Sequence, residues 1–236
     1  MGLALKLLYP SQCVTCGDLV EADHGLCAGC WRDTPFVDGA RCDCCGAPLM
    51  GGEPEERAIC DACLIEPRPW ARGRTALVYR DAARRMVLSL KAGGREDLAE
   101  TAAAWMARAG EEILTPGALL VPVPLHWIRF LQRRFNQAAL LAATLGAQTG
   151  LEVLPDALKR VMRTRKLDRL SPVERFQALD GAIIPNAARD LGGRHVILID
   201  DVMTSGATLA ACTAAAQGAG AARVDVLTLA RTMREA

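Results

Sequence analysis

Two adjacent aspartates, Asp200 and Asp201, follow the apolar run VILI and precede TSGAT, residues 204–208. Backbone N–H groups of such a turn, the start of a following helix and the hydroxyls of Thr204, Ser205 and Thr208 together make an anion cradle suited to phosphate. Gly206 permits close approach of the backbone. Two carboxylates just before the cradle would bind sugar hydroxyls, directly or through Mg2+. A phosphate beside a vicinal diol describes a ribose 5-phosphate. A polar turn capped by Thr or Ser would also end a strand, but it has no need of two aspartates. Other phosphate signatures do not fit. GxxxxGK followed by Ser or Thr is absent, and GAGAAR at 218–223 lies between helix and strand, where Gly218 and Gly220 read as helix stops.

The second group of reactive residues is cysteine. Cys13-x-x-Cys16 and Cys27-x-x-Cys30 are followed by Cys42-x-x-Cys45 and Cys60-x-x-Cys63. Two intervening residues let both thiolates of a pair face one tetrahedral ion, and two pairs complete a site of four thiolates. Four pairs imply two structural Zn2+ sites, closed to substrate. Gly17 and Gly46 follow the second cysteine of two pairs, where a tight turn favours positive φ. A disulfide framework would need an oxidising compartment, and a redox CxxC would not need four copies. Cys44 is left as a free thiol or a sulfur lying behind the ligands. The spacing leaves the pairing open; short loop closure favours sequential over crossed pairing. His24 reads as a surface residue.

These groups need elements to hold them. TALVY (75–79), ALLVPVPL (118–125), HVILI (195–199) and RVDVLTLA (223–230) read as strands. Pro122 and Pro124 remove ladder donors, so the second strand must end there or lie at an edge. Residues 81–91, with apolar positions 82, 83, 86, 87 and 90, read as a helix. So do 95–110, stopped by Gly110; 136–150, capped by Gly150; and the small-residue stretch after Gly206. Strands alternating with helices predict an α/β fold with a parallel sheet flanked by helices. Asp200 and Asp201 then sit at a strand's carboxyl end, where such sheets bind ligands.

Nine of the ten cysteines precede residue 64, so the chain divides near residue 70. Residues 1–70 form a Cys-rich module and 71–236 the α/β domain, joined by EPRPW (66–70) as a stiff connector. The 236 residues are 51% hydrophobic with net charge +1, which allows a sizeable core and excludes a global electrostatic pull toward nucleic acid or membrane. No apolar run reaches the roughly 18 residues of a membrane span. MGLALKLLYP reads as a short amphipathic helix rather than a secretory signal. The expected location is the cytoplasm, without membrane partners.

Residues 196–208 match the 13-residue signature of type I phosphoribosyltransferases throughout. The CxxC pairs, YRDAARRMVLSLKAGG, VPVPLHWIRFLQRRFNQA, RTRKLDRLSPVERFQALDGA and VDVLTLAR follow in the order seen in the ComF family, which this chain resembles over nearly its whole length. The resemblance implies a double zinc ribbon on a phosphoribosyltransferase-type domain, linked to DNA uptake in competence. It implies that Thr204, Ser205, Gly206, Ala207 and Thr208 hold the 5-phosphate of phosphoribosyl pyrophosphate, and that Asp200 and Asp201 hold the ribose hydroxyls. Val123 and Pro124 would lie near the pyrophosphate, with Arg133 and Asn136 close by and Lys91 as a further cation. Mg2+ would share neutralisation of the leaving pyrophosphate.

The family pattern has Gly where this chain has Arg134, Pro at Trp127, Gln at Leu167 and Asn at Ala178. Thr164, Leu170, Ser171, Glu174 and Arg175 match. The departures fall on acceptor and lid positions and leave the donor motif intact. Lys159, Arg160, Arg163, Arg165, Lys166 and Arg169 form a basic segment that reads as a solvated loop, a lid over pyrophosphate or a strip for single-stranded nucleic acid. His126 reads as incidental. Two functions follow: a phosphoribosyl-transferring enzyme, or a non-catalytic module that binds a phosphoribosyl ligand or single-stranded DNA, with DNA-uptake proteins as partners. The acceptor is not legible.

Overall fold

A computed structural model describes residues 10–21, 25–51, 57–92, 97–125, 135–162, 179 and 181–233. The amphipathic start, His24, the stretch 126–134 with His126, Trp127, Arg133 and Arg134, and the segment 163–178 lie outside the described residues.

The sheet has five strands in the order β1 (Gly73–Val78), β7 (Arg223–Arg231), β6 (His195–Met203), β2 (Leu119–Pro122) and β3 (Glu152–Val153). All are parallel. β4 (Leu158–Arg160) and β5 (Ile183–Pro185) make a separate antiparallel pair. The proline-bearing strand ends at Pro122, but between β6 and β3 rather than at the sheet edge. The Val123 N–H donates to Ile199 O on the β6 side. The missing donor of Pro122 therefore faces the β3 side, where pairing covers only Leu119 and Leu120.

Helices α1 (Ala28–Asp33) and α2 (Asp61–Ile65) are short turns inside the Cys-rich module. α3 (Asp81–Ala92) buries Ala82, Ala83, Met86, Val87 and Leu90, the face its periodicity predicts. α4 (Asp97–Ala109) follows, and α5 (Gln137–Thr149) starts at Asn136 and stops at a left-handed Gly150. α6 (Ala207–Gly218) starts at Gly206.

Alternation along β6 divides the core. Ile197 and Ile199 pack with Met86, Leu90, Leu98, Met106, Leu141 and Leu145 of α3, α4 and α5. Val196 and Leu198 face the opposite layer, with Leu209 and Cys212 of α6. That second layer also contains Cys42, Cys45, Ala47, Cys63 and Trp70. The second half of the Cys-rich module is therefore part of the sheet's cover. Within EPRPW, Trp70 packs into that layer at 3% exposure and Arg68 is half-buried, while Pro67 and Pro69 stay exposed. Closer to the N-terminus, Val37 N–H donates to Ala76 O and Val78 N–H to Pro35 O, so residues 35–37 lie antiparallel along the free edge of β1.

Candidate functional site

The eight cysteines gather sequentially. The sulfurs of Cys13, Cys16, Cys27 and Cys30 form one cluster and those of Cys42, Cys45, Cys60 and Cys63 another, each within 4.8 Å. Crossed pairing is thereby excluded. Sγ atoms of Cys16 and Cys27 are 3.6 Å apart, as are those of Cys45 and Cys60. Four thiolates at about 2.3 Å from a tetrahedral ion stand about 3.8 Å apart, so both sites fit Zn2+. Cys30 N–H donates to Cys27 Sγ within one knuckle, and Cys60 N–H donates to Cys42 Sγ between the two knuckles of the second cluster. Gly17 and Gly46 have φ of 83° and 67°. A Cβ on Gly46 would stand 2.8 Å from Thr75 N, so the third knuckle, Cys42-x-x-Cys45, rests on the backbone of β1. Cys44 belongs to neither cluster; its carbonyl accepts from Trp70 Nε1.

At the other end of the chain, β6 runs further than its apolar residues imply. Asp200 pairs with Thr228, and Val202 and Met203 pair with Ala230 and Arg231. The aspartates therefore lie within the strand and not after it, because β7 extends the ladder past them. Successive side chains of a strand point to opposite faces. Asp200 falls on the α6 face with Val196 and Leu198, and Asp201 on the α3 face with Ile197 and Ile199. Asp201 is 8% exposed, and its Oδ2 lies 3.0 Å from Lys91 Nζ in the last turn of α3. Burial, then the neighbouring Asp201 charge, pushes the Asp200 carboxyl up to about 7; the positive charges of Lys91 and Arg160 act against that rise. Arg160 comes from β4, so the small second sheet brings a cation toward Asp200.

The loop 204–206 leads directly into α6, and residues 204–208 line a small concavity together with Asp200. Gly206 has φ 84° and caps α6 without a side-chain bond. The expected outward row of three hydroxyls is two. Thr204 is exposed and Thr208 half-buried, whereas Ser205 is 7% exposed with Oγ 3.4 Å from the Ala207 N–H. The amide of Ala207 draws that hydroxyl inward. Close approach at Gly206 includes a protein partner: a Cβ there would stand 3.0 Å from the Trp70 ring.

Val123 and Pro124 are buried beside this strand end, because Pro122 pairs with Ile199. Asn136 caps α5: its Oδ1 accepts from Ala138 N–H and its Nδ2 donates to Val123 O, both at 3.0 Å. Its amide thus holds the segment after β2. Arg133 lies outside the described residues. Three cations stand near the loop or the aspartates without having been assigned to this site from sequence: Arg160 of the basic segment, Arg68 of EPRPW and Arg231 at the end of VDVLTLAR. Arg68 donates to Ser205 O at 2.8 Å. Arg231 donates to Cys45 O at 3.2 Å and lies 3.0 Å from Met203 Sδ.

The whole forms a small concavity with two carboxylates, one engaged by lysine, next to a helix start whose cap residue, Gly206, has no side chain and where Ser205 Oγ meets the Ala207 amide alone. Such a site holds a phosphate and hydroxyls together. Asp200, strained toward its neutral form, gains its charge when a cation lies beside it, so the donor set also fits Mg2+. No helix among the described residues is long and apolar enough to cross a membrane.

Residues 4–64 match the double zinc ribbon domain family. DNA utilization protein YhgH of Escherichia coli strain K12 is 30% identical over 234 residues, covering 96% of this chain and 100% of that protein. Competence protein F of Haemophilus influenzae is 28% identical over 228 residues, covering 93% and 96%. Among solved structures, a purine phosphoribosyltransferase from Pyrococcus horikoshii is 16% identical over 56% of this chain and 72% of that one, with a TM-score of 0.34.

Proposed function

The chain belongs to the ComF family, and from that premise we propose that it binds phosphoribosyl pyrophosphate with Mg2+ at the carboxyl end of β6 and transfers the phosphoribosyl group to an acceptor. The observation that carries this reading is the α6 start at Gly206, φ 84°, a cap residue without a side chain, in one concavity with Asp200. Thr204, Gly206, Ala207 and Thr208 surround the 5-phosphate, and Ser205 braces the turn from inside. Asp200 and Asp201 take the ribose hydroxyls from the two faces of β6. Val123 and Pro124 border the pyrophosphate, with Asn136 fixing their backbone and Arg133 as a further ligand. Mg2+, when bound, neutralises the departing charge. The protein's own contribution is alignment and electrostatic support of a leaving pyrophosphate. The names of the relatives support a place in DNA uptake or utilization, and we extend that association to this chain.

Calorimetric titration with phosphoribosyl pyrophosphate and Mg2+, followed by an acceptor screen for pyrophosphate release, tests the reading. Saturable binding with release is expected. Binding without release for any base or amine, together with salt-dependent binding of single-stranded DNA, decides for a non-catalytic module. No donor binding overturns the site.

A further inference from the structure

The second cysteine cluster and the phosphate loop are far apart in sequence, yet three side chains lock them together. The Arg68 side chain is 2% exposed, reaches the Cys63 thiol and donates to Ser205 O. Its guanidinium sits 5.8 Å from the Trp70 ring centroid. Trp70 in turn donates to Cys44 O and stands against Gly206. Arg231 ties Cys45 O to Met203, the residue before the loop.

The Ser205–Gly206 peptide is trans, so its carbonyl and N–H point in opposite directions. A donor that holds Ser205 O from the ribbon side therefore aims the Gly206 N–H away from the ribbon. Glycine at φ 84° tolerates either orientation of that peptide, so the local sequence does not fix the direction by itself. We propose that Arg68 is a positioning residue of the donor site: anchored between Cys63 and Trp70, it sets the Ser205–Gly206 peptide so that the Gly206 N–H meets the 5-phosphate. This rests on the donor-site reading above. The ribbon thus shapes the phosphate cradle as well as covering the sheet.

The test uses the full chain, with zinc content checked, as wild type, Arg68→Met and Arg68→Lys. Ribose 5-phosphate and inorganic pyrophosphate are titrated separately, and the Gly206 amide resonance is followed in the free protein. Arg68→Met is expected to bind ribose 5-phosphate about tenfold more weakly, equivalent to about 1.4 kcal/mol. Pyrophosphate affinity stays unchanged, the Gly206 amide shifts, and Arg68→Lys recovers part of the loss. An unshifted amide or equal ribose 5-phosphate affinity in a protein that binds donor overturns the role of Arg68 alone. If wild type binds no ribose 5-phosphate, the donor-site reading falls and takes this proposal with it. Should Arg68→Met lose its zinc, Arg68→Lys carries the test: about threefold weaker binding with a smaller amide shift supports the proposal, and identity with wild type in both overturns it.

Discussion

Lys91 Nζ lies 3.0 Å from Asp201 Oδ2, an ion pair joining the last turn of α3 to the strand that carries both aspartates. Both side chains are mostly buried, at 25% and 12% exposure, so solvent screens the pair only in part. Lys91 also opposes the upward shift of Asp200. Lys91→Met is therefore expected to move the Asp200 titration higher. Donor binding in the presence of Mg2+ would weaken about tenfold, and its low-pH limb would shift to higher pH. Affinity measured across about pH 5.5 to 9 checks this; an unshifted limb would detach Lys91 from the site.

Asp200 separates stability from function. Its carboxyl titrates near 7 when folded, against about 4 in an unfolded chain. The folded state thus holds the proton more tightly, and this group's contribution to stability falls as pH rises from about 4 to 7, remaining least favourable above 7. Asp200→Asn should raise Tm at pH 8 by about 2–4 °C, the effect of roughly 1 kcal/mol in a chain of this size. The gain should vanish at pH 4, and donor affinity should drop. Thermal melts at both pH values, paired with titration of the donor, measure the two effects.

Asp201→Asn removes one charged acceptor and leaves Lys91 without its partner. Donor binding should weaken by about tenfold to a hundredfold, the range of a charged hydrogen bond worth roughly 1.5–3 kcal/mol. Thr208→Val should cost less. Equal affinity of wild type and Asp201→Asn in calorimetry would remove Asp201 from the site.

A charged cluster fastens the third knuckle to the α/β domain. Arg74, 3% exposed, reaches Asp43 at 2.7 Å and Glu112 at 2.9 Å, and Arg41 also pairs with Glu112. The hydrogen bond from Arg74, followed by that from Arg41, overcomes the cost of burial and holds the Glu112 carboxyl down at about 2. A depressed carboxylate stabilises the fold above its ordinary pKa and ceases to do so as pH falls toward 2. Arg74→Met should cost about 2 kcal/mol, less than a fully buried pair because the Glu112 side chain is 42% exposed. Its acid-unfolding curve should also lose the Glu112 contribution. Denaturant melts at pH 7 and pH 2.5 show whether the difference between variant and wild type shrinks in acid.

Elemental analysis should find two Zn2+ per chain, with the two sites unequal in consequence. Cys13→Ser should lose one ion and keep donor binding, since Val14 and Leu26 beside the first cluster pack in the layer of α3 and α4, across the sheet from α6 and its phosphate loop. Cys45→Ser should lose the other ion and donor binding with it, because Cys45 is fully buried in the layer that covers the sheet. Equal donor affinity in both variants would contradict that difference.

Much of this was readable in the chain. Gly150 announced the end of α5, the CxxC spacing announced two tetrahedral sites, and the apolar spacing of 82–90 announced the buried face of α3. These signals are local, arising from caps, turns and periodicity. The opposite faces taken by Asp200 and Asp201 were not legible, because apolarity ends at Ile199 while pairing with β7 continues to Met203. β3, β4 and β5 have two or three residues each, too few to show a period. The parts that Arg68, Arg160 and Arg231 play here were hidden for another reason. Their significance comes from carbonyls and carboxylates brought to them by tertiary contact, and no spacing along the chain records that.

The position of β1 has a consequence for how the chain is made. β1 pairs along one side with β7, the last strand of the sheet, Gly73 facing Val226, and along the other with residues 35–37. During translation the early segment can line that outer side, while the inner side waits until residues 223–231 have left the ribosome. The nascent molecule therefore carries an open strand edge until β7 emerges, the kind of edge that chaperones shield. A product terminated before residue 223 keeps both ribbons but never closes that edge, and is expected to be cleared or to aggregate rather than persist as a shorter protein.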